Sequence, residues 1–396
     1  MNTTPQSLRR HIALFGRRNV GKSTLINALA GQQVAIVSPH AGTTTDPVKR
    51  AMEILPLGPC LLIDTAGFDD EGVVGQLRNE RTRKVLDQTD FAILVVDQSV
   101  NLELEKLWIN ELNRLEIPFV AVLNKSDSFK DIELESQAIR NELGTTPVVV
   151  SAISGKGLDD LRNAITITAG SGQETSLTQG LAAPGDSVLL VMPQDPQAPK
   201  GRLILPQVQT IRDLLDKRCI VTCCDVDSIE QSLSSMLKPP ALVITDSQVF
   251  AQVYKAKPSS SKLTSFSVLM AASKGNLSIL IDGARHIANL KPSSKVLIAE
   301  ACTHAPMSED IGRVKIPRLI RKKYGDGIVF DVHAGKDYPI DLNRYDLIVH
   351  CGACMFNRRL MLSRIKRAQD QGVPITNYGL AIAHLQGILD KVDLPE

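Results

Sequence analysis

No apolar run in the chain approaches the roughly 18 residues that a membrane span needs. The opening segment, Met1 to Arg10, is polar, with an arginine pair and no apolar core. Neither a spanning helix nor a secretory leader is therefore expected, and the expected location is the cytoplasm. Charge of one sign is missing as well. The 45 Lys and Arg residues against 43 Asp and Glu leave a net charge of +2, which argues against a dedicated nucleic-acid surface. Cysteine is sparse and odd in number, seven in 396 residues, without the dense spacing of a small secreted scaffold. Reduced thiols or metal ligands are expected, not disulfides. What remains is an ordinary composition at a length that, at roughly 150 residues per domain, allows two or three domains, each with its own core.

The N-terminal third carries contiguous chemistry. The apolar run His11 to Phe15 leads into Gly16-Arg17-Arg18-Asn19-Val20-Gly21-Lys22-Ser23, followed by a helix-like stretch from Thr24 to Ala30. This is GxxxxGK[ST] in its strand, loop, helix setting. The glycines let backbone N–H groups face phosphates, Lys22 offers a point charge to the β and γ groups, and Ser23 is a Mg²⁺ ligand; Thr24 is counted with the nucleotide contacts. Leu61 to Ile63 then delivers Asp64-Thr65-Ala66-Gly67, a strand-end carboxylate for the Mg²⁺ shell and a glycine whose N–H meets the γ-phosphate. The run Phe119 to Leu123 ends in Asn124-Lys125-Ser126-Asp127, which resembles the NKxD motif of GTPases, where the Asp accepts from guanine. Val148 to Val150 ends in Ser151-Ala152, resembling the last guanine-contacting loop. The ligand expected from four ordered motifs is GTP.

One catalytic side chain is absent. Phe68 follows Gly67, where Ras-like proteins place the glutamine that orients water. Gly42-Thr43-Thr44-Thr45-Asp46 is similar to the GTTxD switch of the TrmE-Era group, which implies Thr44 as a Mg²⁺ ligand. In TrmE-like proteins a K⁺ ion held partly by a phosphate-loop asparagine fills the gap left by the glutamine, and Asn19 stands at that position. The alternative role for Asn19 is a turn cap. Slow intrinsic turnover is expected, with the nucleotide-sensing segments around His40 to Asp46 and Phe68 to Leu77.

After a helix-like stretch from Leu158 to Ala169, the segment starting Gly170-Ser171-Gly172 is small and polar up to about Pro184 and reads as a flexible connection. The next region alternates strands and helices but has no glycine-rich or acidic motif, which suggests assembly or packing. Cys219, Cys223 and Cys224 lie in an apolar β-like stretch, and Cys60 adjoins another. All four are expected to pack as small hydrophobes.

From about Thr264 a βα rhythm returns, with apolar strands at Val296 to Ile298, Ile328 to Val332, Leu347 to Val349 and Val373 to Ile375. A small parallel sheet with helices on its faces is expected. Ligands in such sheets gather beyond the carboxyl ends of the strands. Two clusters of soft or borderline metal ligands fall there: Cys302-Thr303-His304 and, after a gap of forty-odd residues, His350-Cys351-Gly352-Ala353-Cys354. Spacing alone fits structural zinc and a [4Fe-4S] cluster about equally.

A TrmE-Era-type GTPase followed by C-x-H and H-C-x-x-C resembles the HydF family of [FeFe]-hydrogenase maturation GTPases, and the likeness spans the whole chain. The resemblance implies a scaffold or carrier in which Cys302, Cys351 and Cys354 hold a [4Fe-4S] cluster, with His304, His350 or a nearby carboxylate as possible exchangeable ligands of the open iron. It also implies a transient di-iron subcluster as cargo, radical-SAM maturases and apo [FeFe]-hydrogenase as partners, no nucleic acid, no membrane, and a homodimer formed through the middle region. The expected fold class is α/β throughout: a P-loop GTPase domain at 1–172, a linker at 173–184, a middle α/β dimerisation domain at 185–263, and a small parallel-sheet α/β iron-sulfur cluster domain at 264–396. The basic helix Asn357 to Gln371, with Arg358, Arg359, Arg364, Lys366 and Arg367, is expected to present a solvated face. The competing reading is a GTPase of tRNA modification or ribosome assembly with a structural zinc site.

Overall fold

The computed structural model describes residues 4–31, 48–65, 80–98, 101–170, 176–193, 203–301, 310–335 and 337–396. The chain divides into two compact units, 1–173 and 174–396. Among the described residues no helix is long and apolar enough to cross a membrane.

The first unit is built on a six-stranded sheet. Its elements are β1 (Arg10–Phe15), α1 (Lys22–Gly31), β2 (Lys49–Ile54), β3 (Gly58–Asp64), α2 (Glu80–Leu86), β4 (Phe91–Val96), α3 (Glu103–Arg114), β5 (Phe119–Leu123), α4 (Ile132–Leu143), β6 (Val148–Val149) and α5 (Leu158–Ala169). The strand order is β2-β3-β1-β4-β5-β6, with only β2 antiparallel. Parallel strands covered on both faces read as continuous apolar runs, and β4, Phe-Ala-Ile-Leu-Val-Val, is buried at every position. β1 sits between β3 and β4, so the chain leaves it at a topological switch point, where a crevice opens beyond the strand ends. The register pairs Leu14 with Asp64, which sets the carboxylate level with the start of the phosphate loop.

The second unit holds two parallel four-stranded sheets. The first comprises β7 (Ser187–Val191), α6 (Leu205–Asp216), β8 (Ile220–Cys224), α7 (Ile229–Ser234), β9 (Leu242–Thr245), α8 (Phe250–Ala256), β10 (Lys262–Ser265) and α9 (Phe266–Lys274), in the strand order β10-β9-β7-β8. The second comprises α10 (Leu277–His286), β11 (Lys295–Glu300), α11 (Ile316–Tyr324), β12 (Val329–Ala334), β13 (Leu347–His350), α12 (Arg358–Asp370), β14 (Ile375–Asn377) and α13 (Tyr378–Leu385), in the order β12-β11-β13-β14. One hydrophobic cluster runs through both: Leu189, Val243, Phe250 and Leu263 belong to it together with Leu297, Ile348, Met361 and Leu380. Ser265 caps α9, Asn357 caps α12 and Asn377 caps α13, each accepting from a first-turn N–H.

Several expectations are revised in the second unit. The boundary expected at 263/264 falls inside β10. The latter half of the stretch read as a flexible linker is packed: Asp213 accepts from the N–H groups of Leu177 and Thr178 and from the hydroxyls of Ser176 and Thr178, and Leu181 enters the core. Cys219 is buried as expected, but β8 is an edge strand. Cys223 is exposed on it, Cys224 is half-buried, and Ile220 is 63 % exposed.

Candidate functional site

The phosphate loop owes its shape to backbone freedom at two glycines. A Cβ on Gly16 would collide with the Val95 carbonyl, and one on Gly21 with the Asn124 side-chain amide; both residues have positive φ, +154° and +89°. Lys22 is buried, and its Nζ donates to the carbonyls of Gly16 at 2.9 Å and Arg17 at 2.8 Å, so the ammonium lies at the centre of the loop. The Ser23 hydroxyl donates to Asp64 Oδ2. The other carboxylate oxygen, Oδ1, is buried and has no hydrogen-bond partner among the described residues. A bare carboxylate oxygen beside a hydroxyl suits a hard divalent cation, so the donor set fits Mg²⁺.

Asn124 joins three motifs. Its Nδ2 donates to the Val20 carbonyl at 2.8 Å, and its Oδ1 accepts from the Ala152 N–H at 3.2 Å. Asp127 accepts from the Ser151 hydroxyl. Lys125, with left-handed φ of 59°, forms an ion pair with Asp97 at 2.6 Å. Gly16, Asn19, Gly21, Lys22, Ser23, Thr24 and Asp64 thus lie around the switch point, and Asn124, Lys125, Asp127, Ser151 and Ala152 around the neighbouring strand ends. Asn19 is exposed with φ of 62°, and among the described residues its side chain forms no hydrogen bond, so it caps no turn there. Thr44, Gly67 and Phe68 lie outside the described residues. Arg17 of the loop is tied to buried Glu105 on α3 at 2.7 Å, a partner with no signal in the motif.

In the second unit the carboxyl ends of β11 and β13 are adjacent, Ala299 pairing with His350. The Cys351 N–H donates to the Ala299 carbonyl at 2.8 Å, and the Ala301 N–H donates to Cys351 Sγ at 3.0 Å. Burial pushes the Cys351 thiol up to about 11, against the pull of the Ala353 and Ala301 N–H groups. A half-buried thiol this reluctant to ionise gains from a bound cation, because coordination deprotonates it outright. Two thiols on one short loop, one of them already receiving amide donors, fit a thiophilic metal centre. Cys302 and His304 lie outside the described residues, and Cys302 follows Ala301 directly in the chain.

His350 takes a different role from the one expected. It is fully buried; its Nδ1 lies 2.8 Å from the Cys351 carbonyl and its Nε2 lies 2.8 Å from Arg364 Nη1. A guanidinium only donates and a carbonyl only accepts, so the proton is on Nδ1 and Nε2 is an acceptor. Neither ring nitrogen is left for an iron. Burial and then the Arg364 charge push its pKa down to about 3. Arg364 itself is 3 % exposed, not solvated. It donates to the Gly335 carbonyl at 2.7 Å and stacks against Tyr338 and Phe356 at 4.5 Å and 4.6 Å. Its signal was present: Met361, Arg364, Ile365 and Ala368 share one face at i, i+3, i+4, i+7 spacing, and all are buried. The nearby carboxylate Glu300 is held by Arg313 through both oxygens, Oε1 at 3.2 Å from Nε and Oε2 at 2.7 Å from Nη2.

A second missed residue is Lys274, the lone charge closing the apolar helix α9. It is buried, and its Nζ donates to the carbonyls of Ala353, Cys354 and Phe356. Burial lowers its pKa to about 8, partly offset by Cys354 and Cys351. The other cysteines are unlike these: Cys60 is buried in β3, its thiol pushed up to about 12 by burial.

Known families match three stretches of the chain. Residues 11–125 match the 50S ribosome-binding GTPase family, residues 177–275 the hydrogen maturase F dimerization domain, and residues 278–393 the hydrogen maturase F tetramerization domain. GTPase Der of Wolinella succinogenes is 36 % identical over 163 residues, 39 % of this chain and 34 % of that protein. The tRNA modification GTPase MnmE of Nitrosomonas europaea is 39 % identical over 164 residues, 40 % of this chain and 34 % of that protein. The chain thus spans about a third of the length of these curated relatives. The G domain of the T. maritima FeoB iron transporter is 25 % identical, covering 40 % of this chain and 98 % of that one, with a TM-score of 0.32.

Proposed function

We propose, from the premise that the chain belongs to the hydrogen maturase F family, that it is a GTP-hydrolysing scaffold which holds a [4Fe-4S] cluster and hands a di-iron subcluster precursor to apo [FeFe]-hydrogenase. The observation that carries the reading is the 3.0 Å contact from the Ala301 N–H to Cys351 Sγ. Ala301 is followed by Cys302, so the peptide link runs from this contact into the third thiol. Amide groups aimed at a sulfur favour its thiolate, the form that binds iron. Cys302, Cys351 and Cys354 would hold the cluster, whose fourth iron supplies an open coordination position when bound. With His350 and Glu300 committed to Arg364 and Arg313, His304 is the residue assigned to that position until cargo displaces it.

At the other site Lys22 meets the phosphates, Ser23, Thr44 and Asp64 hold Mg²⁺, the Gly67 N–H senses the γ-phosphate, and Asp127 reads guanine beside Asn124, Lys125, Ser151 and Ala152. Asn19, with an uncommitted side chain on the loop rim, is assigned to a K⁺ ion that supplies the positive charge other GTPases take from a side chain. The protein works in the cytoplasm as a homodimer, with radical-SAM maturases as its loading partners.

Anaerobic reconstitution of the full chain with iron and sulfide tests the reading. Brown protein with about four irons per chain is expected, and Cys351→Ser should abolish the colour while leaving GTP turnover intact. Colourless protein carrying one zinc would favour the tRNA or ribosome reading instead. Turnover in KCl should exceed that in NaCl at equal ionic strength, and equal rates would remove K⁺ from the mechanism.

A further inference from the structure

Lys274 ends α9, which continues directly from β10, so by chain it belongs to the sheet other than that of Cys351 and Cys354. Its ammonium has three N–H donors. The cysteine loop takes all three: the Ala353 carbonyl at 3.1 Å, Cys354 at 3.3 Å and Phe356 at 2.6 Å. No carboxylate pairs with it among the described residues. Three carbonyl dipoles satisfy the donors but do not cancel the charge, and a buried charge without a counter-ion is costly. The loop it grips carries the sulfurs of Cys351 and Cys354, which become anionic thiolates on binding a metal. That loop also carries a strained residue. Ala353 is buried with φ of 52°, a left-handed conformation that a non-glycine residue adopts at a cost, and the Ala353 carbonyl is one of the three that Lys274 holds.

We propose that Lys274 is a positioning residue for the metal centre: it locks residues 351–356 in the conformation that presents both thiols, and its buried positive charge balances the anionic thiolate-ligated cluster. This rests on the reading of Cys351 and Cys354 as cluster ligands. It assigns a role in the metal site to a residue about eighty positions away in sequence, within the span matched by the dimerization domain. Losing the charge disfavours addition of an electron, so the cluster becomes harder to reduce.

Two variants of the full chain test the two halves of the role. Lys274→Met keeps the apolar stem and removes donors and charge; Lys274→Gln removes the charge and keeps two of the three donors. In the metal-free protein, amide hydrogen exchange over residues 351–356 should be at least about tenfold faster in Lys274→Met than in the parent, the effect of losing two or more net hydrogen bonds, with β1 and α1 unchanged. After anaerobic reconstitution, EPR-monitored redox titration should place both variants more negative than the parent by about 59 mV or more, a tenfold loss in the one-electron reduction equilibrium. Unchanged exchange would overturn the positioning role, and unchanged potentials would overturn the charge role. If Lys274→Met does not fold, the Lys274→Gln potential alone decides the charge. Parent protein that takes up no iron would instead refute the cluster reading, and the exchange result, obtained without metal, would still decide whether Lys274 holds the loop.

Discussion

Two buried lysines perform the same act, one in each unit of the chain. Lys22 donates to the carbonyls of residues 16 and 17 from within its own loop, while Lys274 donates to carbonyls about eighty residues further on. The difference reflects what each site is proposed to bind. Phosphate is held by successive backbone N–H groups, so its site must be contiguous and glycine-bearing, and it appears in sequence as one motif. A soft metal is held by a few side chains, which need outside groups to fix their loop and balance their charge. Such supports come from wherever the fold passes close by.

The comparison can be broken from its phosphate side first. Lys22→Ala should lower GTP turnover by roughly two to three orders of magnitude, the loss associated with one transition-state charge donor, and leave iron loading untouched. A parallel loss of iron content after anaerobic reconstitution with iron and sulfide would mean the two sites are not independent.

Next in size is Arg364→Ala, which strips His350 Nε2 of its donor and empties the space between Tyr338 and Phe356. A cost of about 3 kcal/mol to the second unit is expected from a buried charge network broken on one side. Urea unfolding followed by hydrogen exchange should show the loss in β13 and α12 and not in β1.

His350 sharpens the comparison through pH. Its folded pKa of about 3 lies below the ordinary histidine value of 6.5, so between those values the unfolded chain binds the proton that the folded one refuses. Stability from this group is full above about pH 6.5 and is lost as pH falls toward 3. The urea midpoint of the second unit should fall over that window, and His350→Gln should flatten its dependence.

The smallest effect concerns thiols outside both sites. Iodoacetamide at pH 8 should label exposed Cys223 and spare Cys60, whose thiol is pushed up to about 12, with no change in turnover. Mass spectrometry of the labelled peptides decides it.

The strand ends that carry the described nucleotide motifs were legible, because parallel strands read as apolar runs. The cysteine loop was legible as a candidate ligand set, and the adjacency of β11 and β13 agrees with the βα rhythm read there. Its surroundings were not. His350 reads as a ligand by type, yet tertiary packing gives both its nitrogens to the fold. Arg364 reads as part of a basic face, although its spacing among Met361, Ile365 and Ala368 marked it as core. Lys274 offers only a lone charge at the end of an apolar helix, since sequence patterns carry no trace of which distant carbonyls will meet it. Asp213 likewise turned a stretch of linker composition into an anchored turn through hydrogen bonds that composition does not foretell.

The hydrophobic cluster running through both sheets of the second unit bears on how this half of the molecule is inherited. Two family descriptions meet near residue 276, yet Leu189 and Leu380 share one interior. A cut there would leave each fragment with half of an apolar seam facing water, so neither is a portable module. A substitution that reshapes the seam from one sheet changes what the other packs against. Residues in the portion matched by the dimerization domain are then free to serve chemistry that lies in its neighbour.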